Sequence, residues 1–241
     1  MSDSSSHSTS SISSATGRSA ASLLFRFVAV MAFLIGLLFI PAGRLDWWQG
    51  WLFVFGYAAF VLVYGLWVMR RDPALIRERS RSGPNVKRWD KVLMSVYSVC
   101  LMGLLVVAGL DAGRFRWAPT PPLLQALGWL GLALSGVLIW WATSVNTFLS
   151  NMVRIQDDRG QRVITTGPYR WVRHPMYAGI LVFIPCVALI LGSTWALVPA
   201  ALIDVLFVVR TLLEDRTLQA ELPGYREYAE RVRYRLVPGV W

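Results

Sequence analysis

Histidine, cysteine and lysine are scarce in this sequence of 241 residues, which contains two of each. The two histidines, His7 and His174, cannot supply the several imidazole ligands that hold iron in membrane oxidases, and neither lies in an HExxH zinc motif. Cys100 and Cys186 lie inside apolar runs, at a spacing typical of neither a metal site nor a disulfide framework. We therefore expect no metal ion in the chemistry of this protein.

Charged residues are also few, and acidic residues are fewer than basic ones. Charged residues make up 16% of the sequence, hydrophobic residues make up 55%, and the formal net charge is +10. A basic balance can indicate nucleic-acid binding, but here the arginines lie mainly between long apolar segments. That pattern is typical of a multi-pass membrane protein with a positive cytoplasmic face, so we expect no nucleic-acid partner.

Long apolar stretches follow a serine-rich start. Residues 1–22 contain few large apolar side chains, so a disordered tail is predicted there. Beyond the tail, four stretches are long enough to cross a hydrocarbon core of about 30 Å: 23–42, 47–69, 92–110 and 123–145.

The last apolar stretch, residues 176–209, is too long for a single crossing. Gly192 and Ser193 lie near its middle and indicate a turn, so a helical hairpin of 176–191 and 194–209 is predicted. The predicted fold class is therefore an all-α integral membrane protein with about six passes, the last two forming the hairpin.

The distribution of positive charge predicts the orientation of these passes. Positive residues concentrate in three segments, with eight in 70–91, five in 146–175 and six in 210–241. The connections on the opposite side hold only Arg44, Arg114 and Arg116. By the positive-inside rule, both termini and the large polar connections are expected in the cytoplasm.

A polar cluster stands directly before the hairpin, in the stretch GPYRWVRHPMYAG of residues 167–179. Pro175 is suited to the first turn of a helix, which places Arg173 and His174 just outside that helix's N-terminus. Backbone N–H groups at such a position favour an anionic ligand group. An alternative is that the arginine and aromatic side chains only anchor the chain at the membrane boundary.

A second polar group follows the hairpin, in RTLLEDRTL of residues 210–218. Arg210 and Glu214 are four residues apart and share one helix face, whereas Asp215 is expected to point elsewhere. A returning hairpin would bring Arg210 and Glu214 close to the cluster before it. The alternative is an ordinary surface salt bridge, which contributes little.

The C-terminal stretch, residues 222–241, has tyrosine and aliphatic residues at helical spacing: Tyr225, Tyr228, Val232 and Leu236. This spacing predicts a cytoplasmic amphipathic helix that lies on the membrane or covers the site. Asp204 stands alone in the last apolar run, where a carboxylate is costly unless it faces a polar interior.

With these residues in view, the chain resembles the isoprenylcysteine carboxyl methyltransferase family of integral membrane proteins. The resemblance covers roughly residues 140–238 and rests on GPYRWVRHPMYAG followed by Arg210, Glu214 and Leu218. It implies S-adenosylmethionine as methyl donor, bound at the cytoplasmic face. It also divides the chain into the tail 1–22, four transmembrane helices within 23–145 and a catalytic region of loop, hairpin and C-terminal helix within 146–241.

The resemblance also implies the site residues. The catalytic candidates are Arg173, Arg210 and Glu214, with Arg210 meeting the acceptor substrate. Candidates for cofactor binding are Gln156, Gln161, Arg162, Val163, Ile164, Tyr169, His174, Pro175, Met176, Tyr177 and Glu214. Two positions depart from the family pattern: Gln161 stands where the family often has histidine, and Glu214-Asp215 replaces a pair of glutamates.

The implied chemistry is in-line displacement of a methyl group from a sulfonium, in which alignment supplies most of the catalysis. A carboxylate acceptor mainly needs an arginine to hold it, whereas an amine or hydroxyl needs a base, for which Glu214 is the candidate. The expected acceptor is a lipophilic small molecule, a prenylated peptide or a membrane lipid, which enters from the bilayer.

Two other functions remain open on the sequence. Membrane reductases of the steroid and sterol type, which use NADPH, share a related C-terminal pattern, but they carry different residues at the positions of Met176 and Ile180. A non-enzymatic membrane scaffold would leave the spacing of Arg210 and Glu214 without a role.

Overall fold

The computed structural model describes residues 6–71 and 86–241, and the described chain is α-helical, with no β-strand element. The all-α prediction is thereby confirmed for this part of the chain. Seven α-helices are described: α1 Ser6–Ala42, α2 Trp48–Arg71, α3 Arg88–Ala108, α4 Pro122–Val145, α5 Pro175–Ile190, α6 Leu197–Glu221 and α7 Tyr225–Arg231.

Four described helices are long and apolar enough to cross a membrane, and they coincide with the four stretches predicted from the sequence. Their spanning parts are Leu24–Ala42, Trp48–Trp67, Arg88–Phe115 and Pro122–Val145. The third includes a π-helical turn, Gly109–Phe115, which extends α3. Helix α5 is apolar but has 16 residues, fewer than a full crossing needs. The six passes therefore stay a prediction beyond these four.

Helix α1 begins earlier than the predicted first span. It starts at Ser6, inside the segment 1–22 for which composition predicts a disordered tail, while residues 1–5 lie outside the described part. No proline precedes Pro41, so nothing between Ser6 and the apolar span interrupts helical hydrogen bonding. Most of the basic connection 70–91 also lies outside the described residues.

Helices α5 and α6 pack against each other and form the predicted hairpin. The turn between them contains Gly192 at φ +78°, a conformation that favours glycine. The Ser193 N–H donates to Ala188 O at 3.1 Å and closes the end of α5. Helix α6 then continues to Glu221, twelve residues beyond the predicted end at 209, so it carries both apolar and site residues.

Helix α5 also lies in close contact with α4. A Cβ atom on Gly179 would stand 2.6 Å from Ile139 Cγ1, and one on Gly131 would stand 2.5 Å from Cys186 Sγ. These distances are shorter than any ordinary contact between side chains, so the two glycines are needed for the approach. The site at the start of α5 is consequently mounted on a tightly packed helix pair.

The core lies where α1, α3, α5 and α6 meet, and it is built from fully buried aliphatic side chains such as Leu38, Leu104, Leu191 and Ile203. Large apolar side chains elsewhere on the spanning helices stay outside this core. Leu134, for example, is 63% exposed on α4. In a membrane protein such side chains face lipid, which is why the core can be small.

A buried carboxylate joins the far end of α3 to the hairpin turn. Asp111 is fully buried and accepts hydrogen bonds from Ser193 Oγ at 2.7 Å, from Trp195 N at 3.2 Å and from Ala118 N at 3.1 Å. These three neutral donors satisfy the carboxylate in the absence of a cation among its contacts.

The predicted C-terminal amphipathic helix over 222–241 is too long. Helix α7 ends at Arg231, and the chain then folds into a turn in which the N–H groups of residues 235–237 donate to Trp241 O. The physical reason is competition for the backbone: the carbonyls of Tyr234 and Arg235 accept from residues 173 and 174 instead of continuing a helix.

Candidate functional site

A cavity lies between the connection that follows α4, the start of α5, the last part of α6 and α7. It encloses about 790 Å³ of empty space, a figure that includes open solvent at its mouth. The predicted cofactor residues that line it are Gln156, Gln161, Arg162, Val163, Ile164, Tyr169, His174, Met176, Tyr177 and Glu214.

The other three predicted site residues are Arg173, Pro175 and Arg210. Arg173 also lines the cavity. Pro175 is the first residue of α5, as predicted, but it is not part of the lining. Arg210, the predicted contact for the acceptor, is buried outside the lining and touches Tyr177, which does line it.

Asp215, which the helical spacing predicted to point away from the site, lies outside the cavity lining but binds Arg173, which does line it. It is fully buried and binds the Arg173 guanidinium with both oxygens, at 2.7 Å from Nε and 2.9 Å from Nη2. Arg173 Nη1 donates to the carbonyls of Val232 at 2.8 Å and Arg233 at 2.9 Å. Glu214 lines the cavity, whereas Asp215 faces the C-terminal segment on another side of α6, in agreement with the spacing.

Four other groups surround the Asp215 carboxylate. Tyr225 Oη donates at 3.1 Å, Gln219 Nε2 donates at 2.8 Å, Arg235 Nε donates at 3.0 Å, and His174 Nε2 lies 3.3 Å away. Burial alone would raise the pKa of the Asp215 carboxyl. The hydrogen bonds and charges of His174 and Arg173 outweigh burial and hold that pKa well below its usual range.

The C-terminal segment holds the polar cluster through its backbone as well. The Arg173 N–H donates to Tyr234 O and the His174 N–H donates to Arg235 O, both at 2.9 Å. Two adjacent backbone bonds fix the direction in which the Arg173 and His174 side chains leave the chain. The orientation of this cluster therefore depends on residues about 60 positions later.

Tyr177 and Glu214 form the part of the lining nearest to α6. The Tyr177 hydroxyl donates to Glu214 Oε2 at 2.5 Å, and its ring lies parallel to the His174 imidazole with centroids 5.7 Å apart. Glu214 thus presents to the cavity a carboxylate that one neutral donor orients and that forms no ion pair with an arginine in the described part of the chain.

Arg210 pairs with a residue that sequence reasoning missed. Its Nε and Nη2 donate to the carboxylate of Asp90, at 2.8 and 3.2 Å, and Nη2 also donates to Asn151 O at 2.9 Å. The alternative of an ordinary surface salt bridge between Arg210 and Glu214 is therefore wrong, because no such bridge forms among the described residues. The Tyr177 ring, whose centroid lies 5.3 Å from Arg210 Cζ, stands against the guanidinium instead.

Asp90 gave a weak sequence signal, because it is a single acidic residue in the basic stretch VKRWDK at the start of a predicted span. Asp215 and Tyr225 could have been weighed more heavily, since both lie within the polar C-terminal region. No spacing rule, however, links residues that are far apart in the chain.

The connection between α4 and α5 forms a wall through its own glutamines. Gln156 is 1% exposed, its backbone N–H donates to Gln161 Oε1 at 2.8 Å, and its Oε1 accepts from Arg159 Nη1 at 2.7 Å. Gln156 Nε2 donates to Phe148 O. Gln161, at the position where histidine was noted as frequent, therefore shapes the wall as a hydrogen-bond acceptor.

Tyr169 and Tyr228 join the later part of this connection to α7. Asn146 Nδ2 donates to Tyr169 Oη at 3.0 Å, and Tyr228 Oη donates to Tyr169 O at 2.7 Å. Burial raises the pKa of both phenols above the usual range. Both therefore stay protonated at neutral pH, which leaves Glu214 as the better candidate for accepting a proton.

Comparison with known proteins indicates the same part of the chain as the cavity does. Residues 125–222 match the family described as phospholipid methyltransferase. The match extends from α4 to just past the end of α6 and includes every predicted site residue, so it confirms, for this region, the resemblance to the membrane methyltransferases. Asp90 lies outside it.

A named relative is similar to this chain over part of its length. The chain is 35% identical over 135 residues to the cobalt-zinc-cadmium resistance protein CzcN of Cupriavidus metallidurans, which covers 52% of this chain and 56% of that protein. The chain thus spans about half the length of the curated relative that it matches.

Proposed function

We propose that the protein is an S-adenosylmethionine-dependent methyltransferase that methylates a lipophilic acceptor at the boundary of the membrane. The observation that carries this proposal is the cavity. It brings together the predicted cofactor residues of the connection before α5, of the start of α5 and of α6. Those residues fall within the region that matches the methyltransferase family.

The lining suits the chemical parts of that cofactor. Adenosine needs apolar or aromatic surface, which Val163, Ile164 and Tyr169 provide, and a cationic sulfonium is favoured by a nearby carboxylate such as Glu214. The residues proposed to hold the cofactor are Gln156, Gln161, Arg162, Val163, Ile164, Tyr169, His174, Met176, Tyr177 and Glu214, with Pro175 beginning the helix behind them.

The reaction proposed for this site needs alignment more than covalent help. When bound, the cofactor supplies a methyl group on a sulfonium; the acceptor's lone pair forms the new bond to carbon while the C–S bond breaks, and the thioether leaves. The chain's own residues orient the two partners, exclude water and, for an amine or hydroxyl acceptor, take up its proton at Glu214.

Both arginines proposed for catalysis carry a compensated charge. Arg173 binds Asp215 and Arg210 binds Asp90, each through two hydrogen bonds. A carboxylate acceptor of the prenylcysteine type would have to compete with these internal partners, whereas an amine on a membrane lipid would meet Glu214. Both acceptors are therefore tested. From the distribution of positive charge we propose that the acceptor binds on the cytoplasmic side of the membrane and that both termini lie on that side.

The decisive experiment measures binding and transfer on the purified full chain in detergent. We expect calorimetry to detect binding of S-adenosylhomocysteine, the demethylated form of the cofactor. We also expect labelled methyl transfer to either prenylcysteine analogues or total membrane lipids. Glu214→Gln is expected to weaken binding and abolish transfer.

The matched control is Glu221→Gln, the same change on the same helix. Glu221 pairs with Lys87 and lies outside the cavity lining, so this variant should behave as the wild type. A folded protein that binds reduced nicotinamide but no S-adenosylhomocysteine would overturn the proposal.

A further inference from the structure

Asp90 occupies an unusual position at the start of α3. It belongs to the first turn of a membrane helix, outside the region that matches the methyltransferase family, and it is fully buried. A buried carboxylate is costly unless its charge and its hydrogen-bonding capacity are both satisfied, so its partners show what the position is for.

Asp90 satisfies that requirement with two different parts of the site. One is the guanidinium of Arg210, held by two hydrogen bonds. The other is the backbone N–H of Val153, which donates to Asp90 Oδ2 at 2.6 Å, while the adjacent Lys87 N–H donates to Val153 O at 3.1 Å. Val153 lines the cavity.

Arg210 extends the connection to a second part of the lining, at Tyr177. Its Nη2 donates to Asn151 O, on the same segment as Val153, and its Cζ lies 5.3 Å from the ring centroid of Tyr177. Tyr177 in turn donates to Glu214. One buried ion pair thus contacts two parts of the cavity's surroundings: the segment 151–153 and Tyr177, which holds Glu214.

We propose that Asp90 is a positioning residue for methyl transfer: through Arg210 and Val153 it sets the separation between the wall at 151–153 and the Tyr177–Glu214 wall. This inference rests on the proposed function and deepens it. A bidentate carboxylate–guanidinium pair has a defined planar geometry, so it transmits a fixed spacing where a single hydrogen bond would not.

The test uses Asp90→Asn, which keeps the shape of the side chain and removes its charge. Asn has one acceptor oxygen in place of two, and its NH₂ group would face a donor, so it cannot keep the bidentate pair with Arg210 together with the bond from Val153. At a temperature where the variant is folded, we expect kcat at saturating donor and acceptor to fall about tenfold or more, because small misplacements at a reacting centre have large effects. The Kd for S-adenosylhomocysteine should change by less than about threefold.

The matched control is Asp46→Asn, the same change in another aspartate that pairs with an arginine. Asp46 binds Arg44 at 2.7 Å, is 78% exposed in its side chain and lies outside the cavity lining. Its kcat and affinity are expected to equal those of the wild type.

A second variant separates positioning from stability. Breaking one partner of a buried pair is more destabilising than removing both, so Asp90→Asn combined with Arg210→Gln should recover part of the melting temperature that Asp90→Asn loses. Arg210 is itself a catalytic candidate, so a low kcat in the double variant is expected in either case, and the low kcat of folded Asp90→Asn carries the test of positioning.

Recovery of kcat together with the melting temperature, or wild-type kcat in folded Asp90→Asn, would overturn this inference and leave the proposed function intact. Absence of methyl transfer by the wild-type protein would overturn the proposed function, and this inference with it.

Discussion

The two aspartates of the third spanning segment, Asp90 and Asp111, are the same residue type at the same full burial, yet they are satisfied in different ways. Asp90 binds a guanidinium and one backbone N–H beside the cavity. Asp111 binds a serine hydroxyl and two backbone N–H groups beside the hairpin turn. Both therefore tie the same span to the same hairpin, once at each end.

The difference teaches what each link can do. Neutral donors satisfy a carboxylate without adding a second charge, which suits a fixed structural junction. A bidentate ion pair is costly to bury and sensitive to the loss of either partner, but it gives a defined geometry. The ion pair, which is the costly link, lies at the end of the hairpin next to the cavity, where a defined geometry affects the lining.

The largest effect is expected from Arg210→Ala, which leaves Asp90 buried without its cation. Removing one partner of a buried pair costs about 3–5 kcal/mol of unfolding free energy. Denaturant unfolding in detergent measures this, and turnover should be lost with it. A change of about 0–1 kcal/mol, the value for a surface salt bridge, would contradict the comparison.

Asp111→Ala is expected to destabilise the protein by a smaller amount. It leaves the Ser193 hydroxyl and the Trp195 N–H without their partner, at a cost of about 1–3 kcal/mol for a buried unsatisfied group. Because Asp111 is outside the cavity lining, the Kd for S-adenosylhomocysteine should equal that of the wild type. A large loss of affinity in the folded variant would show that the two ends are not separable.

A third aspartate sharpens the comparison through pH. The pKa of Asp215 is held below its usual range, so the folded protein binds this carboxyl's proton less readily than the unfolded chain. Its contribution to stability is therefore complete above the unfolded pKa of about 3.9 and is lost as the pH falls below that value. Melting temperatures measured from neutral to acid pH should show this loss in the wild type and a smaller one in Asp215→Asn.

The smallest effect is expected far from all three aspartates. Deleting residues 1–20, which contain few large apolar side chains, should leave the melting temperature and the affinity for S-adenosylhomocysteine unchanged. Differential scanning fluorimetry and calorimetry on the shortened chain check this, and a large loss in either quantity would show that the segment packs against the rest.

The parts of the fold that follow from local composition were predictable. The four spans follow from apolar length, and the hairpin follows from the excess length of 176–209 and the glycine at its turn. The lining residues around GPYRWVRHPMYAG followed from a motif and not from physical reasoning about spacing. Their convergence on one cavity depends on the hairpin returning to the side where it starts.

The errors share a physical cause: local periodicity does not report which distant groups compete for a side chain or a carbonyl. Arg210 and Glu214 have the right spacing for a pair, but Asp90 reaches the guanidinium from 120 residues away. The tyrosine and aliphatic spacing after 222 continued past Arg231, but the backbone carbonyls of Tyr234 and Arg235 were taken by residues 173 and 174.

The pairing of residues 173 and 174 with 234 and 235 has a consequence for how the protein is made. Synthesis runs from the N-terminus, so α5 and α6 are made before the carbonyls that hold Arg173 and His174 exist. The polar cluster is therefore the last part of the site to be completed. We expect the proposed methyl donor to meet a complete cavity only after residue 235 has been synthesised.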